Sequence, residues 1–310
     1  MPDMSGKTVV ITGANSGIGF ETARALAQKG AQVVMTARDA AKGQAALDTL
    51  RAERPRGSLE LLTLDLASLA SVRAFANDFT RRYTKLDILV NNAGVMHIPY
   101  RQTADGFEMQ FGTNHLGHFA LTGLLLPLIS QTPRARVVTV SSVLHKGGHV
   151  NFDDLNMHQA YDRNKAYSQS KLANLLFAYE LQRQFEAHRV DAVSLAAHPG
   201  YSATNLQYVG PQMRQSSLEM RITALMNRFI AQSAAMGALP TLYAATAPGV
   251  RGGQYIGPDG FMESRGYPTV AKSNAESYDR AVAERLWKVS EELTGVHYVF
   301  TLAANHTPVS

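Results

Sequence analysis

The feature that most constrains the fold is an alternation, through the first two hundred residues, of short β-branched apolar runs with amphipathic stretches. The runs are Thr8 to Ile11, Gln32 to Ala37, Leu59 to Leu64, Ile88 to Val90, Arg136 to Val140 and Val190 to Ala196, with a last short one at Gln254 to Ile256. Apolar strands separated by helical stretches are buried on both faces, the pattern of βαβ units in a parallel sheet. The reading is a single-domain α/β Rossmann fold over residues 1–310, doubly wound, with a mainly seven-stranded parallel sheet and helices on both faces. At 310 residues the chain is long enough to bury a large core, and no repeat or long linker divides it.

Helix boundaries follow from capping chemistry. One helix is expected from Gly17 to a C-cap near Gly30, and another from Asp39, an N-cap, through Ala40 to Leu50. From about Tyr201 to Ala235 the alternation breaks. Gly210-Pro211 is followed there by Leu218, Ile222, Leu225, Met226, Phe229 and Ile230 at helical spacing, which predicts a helix packed on the core.

The first strand leads into Thr12-Gly13-Ala14-Asn15-Ser16-Gly17-Ile18-Gly19 and then a helix. Glycines here let backbone approach a pyrophosphate and turn tightly into a helix whose free N–H groups hold anions. The spacing is Gly-x-x-x-Gly-x-Gly, not the Gly-x-Gly-x-x-Gly of many dehydrogenases. Cofactor choice is read at the end of the second strand, where an acid would bind a ribose and repel a 2′-phosphate. That position holds Ala37, and Arg38 follows with a guanidinium suited to phosphate, so NADP(H) is favoured. Asp39 lies where an NAD-type acid could stand, but an N-cap role fits its place before an alanine-rich helix.

Tyr167 and Lys171, four apart on a predicted helix, share one face. A tyrosine hydroxyl titrates near pH ~10, so a neighbouring cation that favours its anion makes it a usable acid or base. Tyr161 and Lys165 make a second such pair, but six residues turn a helix through about 240°, so both tyrosines cannot face one ligand. Tyr161, beside Asp162-Arg163-Asn164, reads as a solvated helix start, and catalysis is assigned to Tyr167 with Lys171.

The net charge of +5 is scattered rather than gathered in a stripe, so no nucleic-acid partner is expected. Without cysteine, disulfides, thiolate metal sites and a Cys nucleophile are excluded. His115 and His118 have no third ligand at metal spacing and read as packing residues; no metal is expected. Ser142, His198 and Asp65 do not make a hydrolase, since no Gly-x-Ser-x-Gly elbow surrounds the serine. Met1 to Lys7 run into a strand without signal architecture, and no run of about 18 apolar residues occurs. No membrane span and a cytoplasmic location are expected.

Thr12 to Gly19, Asn91-Asn92-Ala93-Gly94, Asn114, Val140-Ser141-Ser142, Tyr167 with Lys171, and Pro199-Gly200 stand in the order of the short-chain dehydrogenase/reductase family, which the chain resembles over nearly its whole length. Ala93-Gly94-Val95-Met96, Thr103 to Glu108, Asn114 to Phe119, Ser170 to Asn174 and Leu286 to Glu291 are similar to the retinol dehydrogenase and WW-domain oxidoreductase branch, with protochlorophyllide reductases nearby.

The resemblance implies that Ser142 binds the substrate oxygen, that Tyr167 is the general acid or base, and that Lys171 holds the nicotinamide ribose and lowers the tyrosine pKa. Asn114 supports a water-linked proton path. It places Asp65 and Leu66 at the adenine, Asn91, Ala93 and Gly94 at the adenosine ribose, Thr204 at the carboxamide after Pro199 and Gly200, and Ser16 and Arg38 at the 2′-phosphate. Residues 201–235 would then close over an apolar carbonyl or alcohol substrate. The interval from Ser142 to Tyr167 is about twice the family's usual one, as in the retinol dehydrogenase branch. Its extra residues, including His145, Gly147-Gly148 and His149, would form a loop near the active-site mouth. Residues 1–7 do not resemble the membrane anchor common in that branch, so the likeness implies an enzyme class rather than retinol itself. It leaves open a homo-oligomer built on the long helices, a cofactor-binding regulator without turnover, and reduction of a conjugated C=C bond.

Overall fold

A computed structural model of the chain describes residues 1–202, Gly210, Met213 and 231–300. The sheet strands are β1 (Thr8–Ile11), β2 (Gln32–Ala37), β3 (Ser58–Thr63), β4 (Ile88–Asn91), β5 (Ala135–Val140), β6 (Ala192–Ala197), β7 (Tyr255–Pro258) and β8 (Pro268–Ala271). They lie in the order β3-β2-β1-β4-β5-β6-β7-β8. The first seven pair in parallel, as the sequence predicts, and β8 pairs antiparallel with β7. This eighth strand was not expected. As a half-exposed edge strand, Pro-Thr-Val-Ala carries no buried apolar run to announce it.

Helices α1 (Gly17–Gln28), α2 (Ala40–Ala52), α3 (Leu69–Arg82), α4 (Met109–Phe111), α5 (Gly117–Gln131), α6 (Arg163–Ala187), α7 (Ala234–Thr246) and α8 (Arg280–Thr294) cover both faces. Side chains alternate across each strand, so the sheet separates two cores. Val9, Ile11, Val33, Met35 and Val90 pack beneath α1, α2 and α7 against Leu26, Leu50 and Leu242. Val10, Val34, Leu89 and Val137 pack on the other face against Phe79, Phe119, Leu125 and Phe177.

Local chemistry sets the element ends. Asp39 caps α2, its carboxylate accepting from the Lys42 amide at 3.1 Å, as predicted. The α1 end reaches Gly30, whose φ of +97° is a left-handed conformation that favours glycine. Asp162 caps α6, accepting from the Asn164 and Lys165 amides. Val296–Phe300 then lay Tyr298 against α5, where its hydroxyl donates to the Phe119 carbonyl at 2.7 Å. No helix among the described residues is long and apolar enough to cross a membrane.

Candidate active site and cofactor cleft

Strand order reverses between β1 and β4, whose neighbours run outward in opposite directions. In such sheets the loops at the carboxyl ends of the strands part at that point and leave a crevice. A cleft of about 420 Å³ opens there. Its lining runs from Arg38 and Lys42 at one end, past Gly13, Asn15, Ser16, Gly17, Ile18 and Gly19, to Tyr167, Lys171 and Pro199 at the other.

The glycine turn is pressed against the loop after β4. Gly13 has φ +64°, and a Cβ there would stand 2.9 Å from the Ala93 Cβ; at Gly19 it would stand 2.5 Å from the Asn92 amide nitrogen. Thr12 locks the two loops together, its hydroxyl accepting from the Asn92 and Ala93 amides at 2.8 and 2.9 Å. Ser16 stands at the start of α1 in an extended conformation and makes no side-chain cap bond. Arg38 is exposed on the rim and, among the described residues, has no carboxylate partner. Asp39 is spent on capping α2 and on Lys42, whose ammonium lies 3.7 Å away. These donors fit a dinucleotide carrying a 2′-phosphate: open backbone and a helix start for the pyrophosphate, a guanidinium for the extra anion.

Asp65, Leu66, Ala93 and Gly94 line the same cleft. Asn91 does not. Its side chain is completely buried and donates to Thr122 at 3.1 Å, while Asn92 lines the wall. Asn91 is the last residue of β4 and is turned into the core, whereas Asn92 begins the loop over the glycine turn. Gly200, with φ +62°, packs against Ser264. Thr204 and most of the 201–235 segment lie outside the described residues.

At the far end stand the predicted catalytic side chains. Tyr167 is buried, its hydroxyl close to Ser142, whose own Oγ accepts from the Leu144 N–H at 3.2 Å. Burial pushes the Tyr167 pKa up to about 12, opposed only by the nearby Ser142 hydroxyl. Lys171 stands beside its ring. The ammonium donates to the Val140 carbonyl at 3.1 Å and lies 5.7 Å from the tyrosine ring centroid, and burial pulls its own pKa down to about 8. His97 meets the Tyr167 ring edge-on at 5.2 Å.

Asn114 occupies a π-helical turn, Gly112–Leu116, inserted between α4 and α5, a distortion frequent at functional sites. Its amide grips Val95 from both sides, accepting from the Val95 N–H at 2.8 Å and donating to its carbonyl at 3.0 Å. It also donates to Ser170 at 2.9 Å. A Cβ on Gly94 would stand 3.0 Å from the Asn114 oxygen and 3.7 Å from the Lys171 ammonium, so glycine keeps these groups adjacent.

The competing tyrosine is not a solvated helix start. Tyr161 donates to the Ile98 carbonyl at 2.9 Å and accepts from Gln110 at 2.9 Å, away from the cleft lining. His115 and His118 are buried and packed: His115 bonds Ser290 at 2.8 Å, and His118 bridges Thr12 and the Asn114 carbonyl. The loop after Ser142 begins as a tight 3-10 turn, Val143–Gly147, and buries His145 rather than exposing it.

The short chain dehydrogenase family model matches residues 7–214. Retinol dehydrogenase 14 of Mus musculus is 43% identical over 305 residues, covering 94% of this chain and 87% of that protein. Retinol dehydrogenase 12 of Homo sapiens is 42% identical over 297 residues, with 95% and 88% covered. The crystal structure of an uncharacterized protein from Mycobacterium paratuberculosis superposes with a TM-score of 0.80 at 44% identity, covering 96% of this chain and 97% of that one. The Pseudomonas aeruginosa RhlG/NADP active-site complex shares the fold, with a TM-score of 0.64 at 23% identity over 82% of this chain and 94% of that one. With its family motifs gathered along one cleft and these relatives matched over nearly its full length, the chain belongs to the short-chain dehydrogenase/reductase family, oxidoreductases that act on alcohol and carbonyl groups.

Proposed function

We propose that this protein is an NADP(H)-dependent oxidoreductase acting on the carbonyl or alcohol carbon of an apolar small molecule, with Tyr167 as general acid or base. The observation that carries the proposal is one continuous cleft with Ser16 and Arg38 at its phosphate end and Tyr167 and Lys171 at the other, where Ser142 adjoins the tyrosine. The retinol dehydrogenase relatives support an apolar substrate. When bound, the nicotinamide supplies or accepts the hydride.

The glycine turn and the start of α1 receive the pyrophosphate, Ser16 and Arg38 the 2′-phosphate, Asp65 and Leu66 the adenine, and Ala93 and Gly94 the adjoining ribose. Lys171 holds the nicotinamide ribose, and Pro199 and Gly200 lie toward the carboxamide. Asn114, on the far side of Gly94 from the cleft, supports the proton path to Lys171. Ser142 orients the substrate oxygen toward Tyr167. A phenol with its pKa near 12 is protonated at neutral pH, so Tyr167 is poised to donate a proton to a carbonyl oxygen. The oxidative direction needs the phenolate and gains as pH rises. Residues 201–235 are proposed to cover the substrate.

The test is NADPH oxidation against apolar aldehydes, ketones and quinones, with NADH and Tyr167→Phe in parallel. Alcohol product formed with NADPH preference and lost in the variant supports the reading. Tight NADPH binding without turnover points to a regulator, and a saturated C=C bond in the product points to alkene reduction.

A further inference from the structure

Ser142 is followed by a turn whose anchor takes no part in the proposed reaction. In Val143–Gly147 the side chains of Leu144 and Lys146 are exposed, yet His145 between them is completely buried. Its Nδ1 lies 2.6 Å from the Ser142 carbonyl oxygen, and its Nε2 accepts from the Asn274 backbone N–H at 3.1 Å. A backbone N–H can only donate, so Nε2 carries no proton. The imidazole is therefore the neutral tautomer protonated at Nδ1, and it donates to Ser142. Tyr255 closes over the ring edge-on at 5.5 Å.

A second anchor acts beside the first. The Lys146 ammonium bonds Glu263 at 3.0 Å, and the other oxygen of Glu263 lies 3.1 Å from His198, just beyond β6. The turn after β5 is thereby tied to the segments that follow β6, β7 and β8. A buried histidine in a core needs only to satisfy its two nitrogens. This one spends its proton on the Ser142 carbonyl, which also accepts from the His145 N–H at 3.0 Å, and so clamps the turn in which the Leu144 N–H holds the Ser142 Oγ at 3.2 Å, close to Tyr167.

We infer that His145 is a positioning residue: by holding the Ser142 carbonyl it aims the Ser142 hydroxyl at Tyr167 and the substrate oxygen. This rests on the roles proposed above for Ser142 and Tyr167.

Two substitutions separate the two halves of the bridge. In His145→Asn the amide nitrogen stands near the Nδ1 position and keeps the donor to Ser142, while losing the Asn274 contact. In His145→Gln the amide oxygen reaches toward the Nε2 position and keeps the Asn274 contact, while losing the donor. Each removes one hydrogen bond, so a purely structural role makes them equivalent. Positioning predicts that His145→Gln lowers kcat about tenfold, the worth of one buried hydrogen bond, while His145→Asn stays within about twofold of wild type. KM and NADPH affinity stay unchanged in both. In a Ser142→Ala background His145→Gln has no further effect on kcat, because the two act as one unit.

Equal losses in Asn and Gln, or additive losses with Ser142→Ala, overturn the inference. Full turnover in Ser142→Ala removes instead the role given to Ser142, and the inference with it. Crystal structures of the two variants decide the matter without turnover. The Ser142 Oγ keeps its place on the Leu144 N–H, close to Tyr167, in Asn and leaves it in Gln; an unmoved Oγ in both overturns the inference.

Discussion

Replacing Arg38 with Gln removes the guanidinium charge from the phosphate end of the cleft while keeping a polar side chain of similar length. Among the described residues no carboxylate pairs with Arg38, so the substitution strands no partner, and the loss falls on the 2′-phosphate contact alone. A charge-assisted hydrogen bond is worth about 1.5–3 kcal/mol. Because Arg38 is exposed, solvent and salt hold the value to the lower end, about 1.5 kcal/mol, or roughly tenfold in Kd. Lys42 cannot replace it in full, since its ammonium is partly committed to Asp39. Titration of intrinsic or NADPH fluorescence should show NADPH affinity falling about tenfold and NADH affinity changing less than about twofold, with the gap narrowing as salt rises. Equal losses for both cofactors, or none for either, would refute the assignment of Arg38 and the preference derived from it.

Gly13→Ala forces an L-residue to φ +64° with its Cβ 2.9 Å from Ala93; the expected cost is about 1–3 kcal/mol, read as a lower urea midpoint together with weaker NADPH binding. His115 and His118 are held neutral by burial, their pKa values pulled from 6.5 to about 3 and about 4. The unfolded chain binds protons below pH 6.5 that the folded chain refuses, so stability declines from there and levels off near pH 3, at up to about 1.4 kcal/mol per pH unit for each histidine. His115→Phe, set among Phe111, Phe119 and Phe177, should reduce that slope by one proton's worth in urea titrations at several pH values; an unchanged slope contradicts the assignment. Ser142→Ala removes the one contact that opposes the rise in the Tyr167 pKa, so the alkaline limb of the oxidative rate should move upward in pH.

The seven parallel strands were legible because a sheet buried on both faces writes itself as apolar runs, and Asp39 was legible as a cap because its neighbours are helix formers. The edge strand β8 was not, since half-exposed strands carry no such run. Tyr167 could be preferred over Tyr161 from the small residues around it, but the reason Tyr161 is excluded, its bonds to Ile98 and Gln110, is tertiary. The asparagine facing the cleft is Asn92 rather than Asn91, because Asn91 is drawn into the core by Thr122, a tertiary contact. The hold of the Val140 carbonyl on the Lys171 ammonium is likewise a contact that no i, i+4 spacing reveals. His145 was expected in a loop near the active-site mouth, and its burial beneath Tyr255 is a tertiary contact that the local sequence does not announce.

The central claim, hydride transfer to a carbonyl carbon with Tyr167 supplying the proton, is tested most directly by following deuterium from 4-deuterated NADPH into the product by mass spectrometry and NMR, in wild type and Tyr167→Phe. The account predicts deuterium on the carbinol carbon with wild type and no labelled alcohol with the variant. Label on a saturated carbon of a former C=C bond, or undiminished labelled alcohol from Tyr167→Phe, would contradict it.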